Sequence, residues 1–234
     1  MKIPSGLKSV LLPNFVPKPA RCFSVSYGGL ALTDLTPFLG DLPTELEKAV
    51  DKRKIDFITG RICASQALSA LDSARDWPAV AMNSERLPVW PAGVVGSITH
   101  TEGFSSAYIG RAEDFQSLGI DAEKIMPLAQ AEKIKATICF DAERELVGSD
   151  LATSVSLIFS AKESLFKCLY PLVKMNFGFL DAQLNSLDSV HQSFSIELLR
   201  DLSDQYKKGA VFLGNYVFEK SYIVTRIALA QKTL

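Results

Sequence analysis

From Val155 to Tyr170 apolar side chains recur at three- and four-residue steps: Val155, Ile158, Phe159, Leu165, Phe166 and Leu169 mark the buried face of one helix. Ser160, Glu163, Lys167 and Tyr170 follow the same steps on a second, polar stripe, so Glu163 and Lys167 are i,i+4 neighbours. Thr153 or Ser154 suits the start as a cap, and Pro171 is expected to stop the helix at Tyr170. A second stripe, Leu46, Val50, Phe57, Ile58, Ile62, Leu68 and Leu71, predicts a helix to about residue 72. Asp41 to Thr44 opens it, Thr44-Glu-Leu-Glu47 has capping-box spacing, and a break at Lys52–Lys54 would split it. Strand patterns fall at Arg21–Tyr27 before Gly28-Gly29, at Val94–His100 and Phe104–Ile109 around a turn, and at Leu118–Glu123. Leu128–Leu146 holds one or two helical pieces, the second entered through Asp141. Beyond Pro171, Phe177–Ala182, Ser193–Leu199, Ala210–Glu219 and Tyr222–Leu229 read as a terminal sheet. Residues 1–20, with four prolines, read as an irregular arm. Each half thus runs strand, helix, then further strands, an α+β pattern with a junction at Arg111–Gln116.

Composition narrows the partners. The 234 residues are 47% apolar, enough for a substantial core, and 25 Lys+Arg against 26 Asp+Glu give a formal charge of −1. No global field attracts nucleic acid or an anionic membrane, so any phosphate recognition is local. Cys22, Cys63, Cys139 and Cys168 form no CxxC pair and read as reduced thiols. Val10-Leu-Leu12 is too short for a signal-peptide core or a membrane span, so a cytoplasmic protein is expected.

Three groups of residues carry candidate chemistry. Asp121 and Glu123, two apart in a strand, present both carboxylates on one face. They repel unless a cation lies between them, and a few oxygen ligands completed by water and phosphate suit Mg2+; the alternative is a solvated strand end. Arg53 and Arg61 lie about two helical turns apart and can reach one extended polyanion, or can simply face solvent. Gly60 in the same helix suggests the close approach of a neighbour or ligand. Gly96, Ser97, Thr99 and His100 bring amides, hydroxyls and an imidazole to the end of one strand, a set suited to phosphate. With the arginine helix and the Ser/Thr/His turn counted as one anion-binding group, the polar stripe of Glu163 and Lys167 is either the third group or an exposed ion pair. His191 reads as structural.

Gly119-Ile-Asp-Ala-Glu123 followed by Phe159-Ser-Ala-Lys-Glu-Ser-Leu-Phe-Lys167 resembles the two signature motifs of 4′-phosphopantetheinyl transferases. Arg53–Arg61 and Trp90–His100 resemble the additional motifs of the Sfp/EntD-type branch, close to enterobactin-synthetase component D and pseudomonad enzymes. The match covers about residues 45 to 170 in order. The resemblance implies two similar α/β halves with pseudo-twofold symmetry, residues 1–112 with the arm and residues 113–234 with the metal site, in a monomer that binds coenzyme A in the cleft between them. It implies Mg2+-dependent transfer of the phosphopantetheine arm to a serine of an apo acyl, peptidyl or aryl carrier protein, releasing adenosine 3′,5′-bisphosphate. The carrier is an acidic partner from fatty-acid, polyketide or nonribosomal peptide synthesis, siderophores included. Asp121, Glu123 and Glu163 would surround the metal, Glu163 would accept the serine proton, and Lys167 would stabilise the departing phosphate. Arg53, Arg61 and His100 would hold the nucleotide phosphates, with Gly96, Ser97 and Thr99 shaping that pocket. Asp121, Lys162 and Lys167 would face coenzyme A, and the region of Phe140 would border the carrier. The competing classes are a Mg2+-dependent nucleotide hydrolase, for which no Walker-type loop is present, and a non-catalytic coenzyme A or carrier-binding module.

Overall fold

The computed structural model describes residues 3–12, 15–148 and 150–231. The chain divides between Gln116 and Ser117 into two compact units, with Gln231 returning to the first. Asp114 O accepts the Gln231 N–H at 2.8 Å, and Ala112 O accepts its side-chain amide at 3.1 Å.

The first unit contains β1 (Lys8–Val10), β2 (Arg21–Ser26), α1 (Asp51–Leu71), β3 (Ala81–Met82), β4 (Pro88–Val89), β5 (Val94–Thr101) and β6 (Phe104–Arg111). Its antiparallel sheet has the order β1-β2-β6-β5, and β3 pairs with β4 in a separate small hairpin. The arm is therefore not wholly irregular: Lys8 pairs with Ser26 and extends the sheet. The helix begins later than expected. Thr44–Leu46 is a 3-10 turn, and extended Val50 (ψ 151°) caps α1 without a side-chain bond. The side chain of Asp41, the expected opening, lies outside what is described. No break divides Lys52–Lys54. Ile58, Ile62, Ala64, Ala67 and Leu68 of α1 pack with Val25, Ala107 and Ile109 of the sheet. Gly60 keeps this spacing short, since a Cβ there would lie 2.8 Å from Ile98 Cγ2.

The second unit takes β7 (Phe115–Lys124) from Ser117 onward, then α2 (Leu128–Ile138), α3 (Asp141–Val147), α4 (Leu151–Val173), β8 (Ala182–Asp188), β9 (Ser193–Leu198), β10 (Val211–Glu219) and β11 (Tyr222–Ala230). Its sheet has the order β7-β11-β10-β9-β8. α4 lies on this sheet, burying Val155, Ile158, Ala161, Leu165 and Leu169 with Ile196, Phe212, Ile223 and Ile227. Its cap is Asp150, whose carboxylate accepts the Thr153 N–H (3.1 Å) and hydroxyl (2.7 Å). The helix also runs through Pro171 to Val173 and ends at Lys174 (φ 52°), because a proline this near the C-terminus removes only one late bond. The aromatic stretch from Phe177 is not a strand. It is irregular chain and a 3-10 turn at Phe179–Asp181, and the pairing strand is the more polar Ala182–Asp188. Among the described residues no helix is long and apolar enough to cross a membrane.

Candidate active site

Gly119 sets the geometry of the acidic site. A Cβ there would fall 2.0 Å from Ser164 O and 2.8 Å from Cys168 N, so only glycine lets α4 lie this close to β7. The neighbouring Ser117 hydroxyl donates to Cys168 O at 2.6 Å. Strand alternation then aims Asp121 and Glu123, like Ser117 and Gly119, at α4, while Leu118, Ile120 and Ala122 are fully buried on the other face. Lys167 answers from the helix: its Nζ donates to Asp121 Oδ1 at 2.5 Å, the lysine side chain 27% exposed and the aspartate 3%. This contact stands beside the i,i+4 pairing of the helix, since Lys167 also acts electrostatically on Glu163, and the stripe is not a solvent face. Ser160 is fully buried and bonded to Thr225.

The carboxylates feel one another. Burial, then Asp121 and Glu163, push Glu123 up from 4.5 to about 8 against the pull of Lys167. Burial followed by Asp121 raises Glu163, with Lys167 again opposing. Lys167 thus bonds Asp121 and draws on Glu123 and Glu163 as well. Among the described residues no three His, Cys, Asp or Glu side chains are gathered closely enough to hold a metal ion by themselves.

Beside this cluster, Lys162, Glu163, Phe166, Asn176, Phe177, Gly178, Phe179 and Ala182 line a pocket of about 280 Å³. Its wall is aromatic: Phe166 and Phe177 rings lie 5.2 Å apart. Lys162 meets a different arrangement from the one expected. Its ammonium, 2% exposed, donates to Glu143 Oε2 and Ile138 O, both at 2.9 Å. Burial lowers its pKa against the pull of Glu143. Fully buried Glu143 also accepts the Phe140 N–H and the Leu184 N–H, each at 2.7 Å, so one carboxylate ties α3 to α4 and β8. The half-buried Phe140 ring lies 5.3 Å from the Lys162 ammonium.

In the first unit, α1, β5 and the β3–β4 hairpin enclose a basic pocket of about 170 Å³ lined by Leu46, Arg53, Asp56, Phe57, Arg61, Met82, Arg86, Pro88, Ile98 and His100. Arg53, Arg61 and His100 meet as expected. Arg61 lies 4.3 Å above the Phe57 ring, reaches Ala81 O at 3.5 Å, and keeps its Nε buried with no acceptor among the described residues. Burial pushes this guanidinium down to about 10, so it remains a cation, but one that has lost water without gaining a carboxylate. Gly96, Ser97 and Thr99 do not join the wall. Ile98 and His100 face the pocket, so alternation turns the buried Ser97 and Thr99 to the opposite face of β5. Gly96 is a packing position, where a Cβ would lie 2.8 Å from both Trp90 and Ile109, and Trp90 Nε1 donates to Gly96 O at 2.9 Å. Asp56 and Arg86 are pocket residues that the sequence reading missed. Arg86 has φ 64°, in a turn where Asn83 Oδ1 accepts the Leu87 N–H at 2.8 Å; an Asn-Ser-Glu-Arg run after a short apolar stretch was the available signal. His191 is in an exposed turn, its Nδ1 2.7 Å from Asp188.

Comparison with known proteins accounts for both units. Residues 42–110 match the model of the 4′-phosphopantetheinyl transferase N-terminal domain, and residues 117–225 match that of the 4′-phosphopantetheinyl transferase superfamily. The 4′-phosphopantetheinyl transferase Svp of Streptomyces mobaraensis is 37% identical over 192 residues, 78% of this chain and 75% of the relative. The 4′-phosphopantetheinyl transferase Npt of Nocardia iowensis is 36% identical over 199 residues, 79% of this chain and 86% of the relative. Enterobactin synthase component D of Salmonella typhimurium is 36% identical over 154 residues, 64% of this chain and 62% of the relative. The chain belongs to the 4′-phosphopantetheinyl transferase superfamily, on its Sfp/EntD-type branch.

Proposed function

We propose that this enzyme moves the 4′-phosphopantetheine arm of coenzyme A to a serine hydroxyl of an apo carrier protein. The observation that supports this most is the cluster of Asp121, Glu123 and Glu163 with Lys167, beside an aromatic pocket. Three carboxylates, two of them with proton affinity raised by burial and by Asp121, fit a hard divalent cation on charge. Mg2+ keeps several waters, so one or two direct carboxylate ligands suffice. When bound, Mg2+ would supply Lewis-acid charge that offsets what develops on the leaving group. Asp121 and Glu123 are the candidates to hold it, Glu163 joining directly or through water.

Glu163, raised by burial, accepts the proton of the carrier serine as its oxygen bonds to the phosphorus bearing the pantetheine. The bond from that phosphorus to the bridging oxygen breaks, and adenosine 3′,5′-bisphosphate leaves. Lys167 donates to the departing phosphate oxygen. The pocket of Phe166, Phe177 and Phe179, with the Asn176 amide, takes the apolar, amide-bearing arm. Arg53, Arg61, Arg86 and His100 hold nucleotide phosphate, for which the unaccompanied Arg61 is the strongest attractor. A monomer in the cytoplasm is part of this reading, and the free thiols of Cys22, Cys63, Cys139 and Cys168 suit that compartment.

Intact mass of an apo carrier incubated with the enzyme, coenzyme A and Mg2+ tests the proposal. The expected result is a gain of one phosphopantetheine arm, abolished by EDTA and by replacing the acceptor serine. No gain with carriers of all three kinds, while coenzyme A still binds, would leave a binding module in its place.

A further inference from the structure

The pocket beside the acid cluster has two walls. One is α4, which contributes Lys162, Glu163 and Phe166; the other is the irregular chain from Asn176 to Phe179, with Ala182 at the head of β8. Ring contacts between α4 and that chain, Phe159 with Phe179 at 5.1 Å and Phe166 with Phe177 at 5.2 Å, fix a separation but little direction. Hydrogen bonds do fix direction. Glu143, fully buried on α3, reaches both walls. Its Oε2 accepts Lys162 Nζ from α4 at 2.9 Å, and its Oε1 accepts the N–H of Leu184, two residues beyond Ala182, at 2.7 Å. β8 is the edge strand of its sheet, so no further strand is there to take an outward amide. The Phe140 N–H, also on Oε2 at 2.7 Å, fixes the carboxylate itself, and Ile138 O holds Lys162 a second time at 2.9 Å.

We propose that Glu143 is a positioning residue for the arm of coenzyme A: by holding Lys162 and Leu184 at once it sets the spacing and register of the two pocket walls. The arm meets Phe166, Phe177 and Phe179, and Glu143 acts on it only through them. Walls already in place remove an ordering cost that would otherwise weaken binding. The ion pair is nearly closed to water, 2% and 0% exposed, so solvent does not substitute for either partner. The inference rests on the reading of this pocket as the site of the arm.

Two ligands that differ by the arm isolate the effect. Coenzyme A enters with it and adenosine 3′,5′-bisphosphate without it, so the ratio of their affinities, measured by calorimetry on the full chain with Mg2+, reads the pocket. Glu143→Gln keeps the volume but loses the charge that holds Lys162. It is expected to lower the ratio roughly tenfold, with bisphosphate binding little changed. Lys162→Met should do the same, and so should the two together, because a clamp opened at one end has nothing left to lose at the other. Unfolding temperature should behave differently, rising in the double variant above either single, since no charge is left buried alone. A ratio that recovers along with the unfolding temperature overturns the proposal and leaves Glu143 a support of the fold. An unchanged ratio in Glu143→Gln also overturns it, as does an equal fall for both ligands, which marks a general loosening. Phe166→Ala checks the underlying reading: if it leaves the ratio unchanged, the arm lies elsewhere and the inference falls with that assignment.

Discussion

Replacing Glu143 by alanine removes a group with four tasks: it compensates the Lys162 ammonium and accepts that ammonium, the Phe140 N–H and the Leu184 N–H. The ion pair is 2% and 0% exposed, so water cannot take over either charge. Breaking such a pair from one side costs about 3–5 kcal/mol, because the surviving charge stays buried. For a chain of this size that lowers Tm by roughly 6–20 °C. Lys162→Met should cost a similar amount by stranding the carboxylate. The informative variant is Glu143→Gln combined with Lys162→Met. It removes both charges while the amide oxygen keeps an acceptor for one of the two N–H groups, so it should recover at least half of either single loss. Circular dichroism during thermal and urea unfolding reads all of these. An alanine variant that loses less than about 1 kcal/mol, or singles that simply add in the double, would refute the reasoning.

Glu123 links stability to pH in the metal-free protein. Its folded pKa, about 8, lies above the ordinary 4.5, so its favourable contribution is complete below 4.5 and is lost as pH rises through 8. Stability should decline across that window, Glu123→Gln should flatten the decline, and added Mg2+ should restore most at the alkaline end, all readable by scanning fluorimetry. Gly119→Ala should cost more than Gly60→Ala: the first methyl meets the Ser164 carbonyl at 2.0 Å and the second a movable Ile98 methyl at 2.8 Å. Losses of about 3 kcal/mol or more against about 1 are expected in urea titrations. Kinetics should divide Lys167 from Arg61. Lys167→Met is expected to lower kcat about a hundredfold, and Arg61→Ala to raise KM for coenzyme A roughly ten- to a hundredfold with kcat at saturation little changed.

Most of the elements, and which acids share a face, are legible in the order of the residues. Period-2 and period-3.6 patterns are properties of neighbouring residues, so α1, α4, β5, β6, β9, β10 and β11 were legible within a few residues. So was the placing of Asp121 with Glu123 and of Glu163 with Lys167, because two-residue and four-residue spacings fix a common face. Partners across space were not. The stripe predicted Glu163–Lys167, and Gly119 lets α4 approach β7 until Asp121 also accepts from Lys167. Lys162 read as a phosphate ligand, and only the packing of α3 and β8 against α4 showed its charge already engaged by Glu143. Ser97, Thr99 and His100 read as one group, and the face of β5 that meets α1 separated them. Asp56 and Arg86, 30 residues apart, had no shared pattern to reveal them; α1 and the β3–β4 hairpin bring them to one pocket. Local spacing sets which way a side chain points, and tertiary packing alone sets what it meets there.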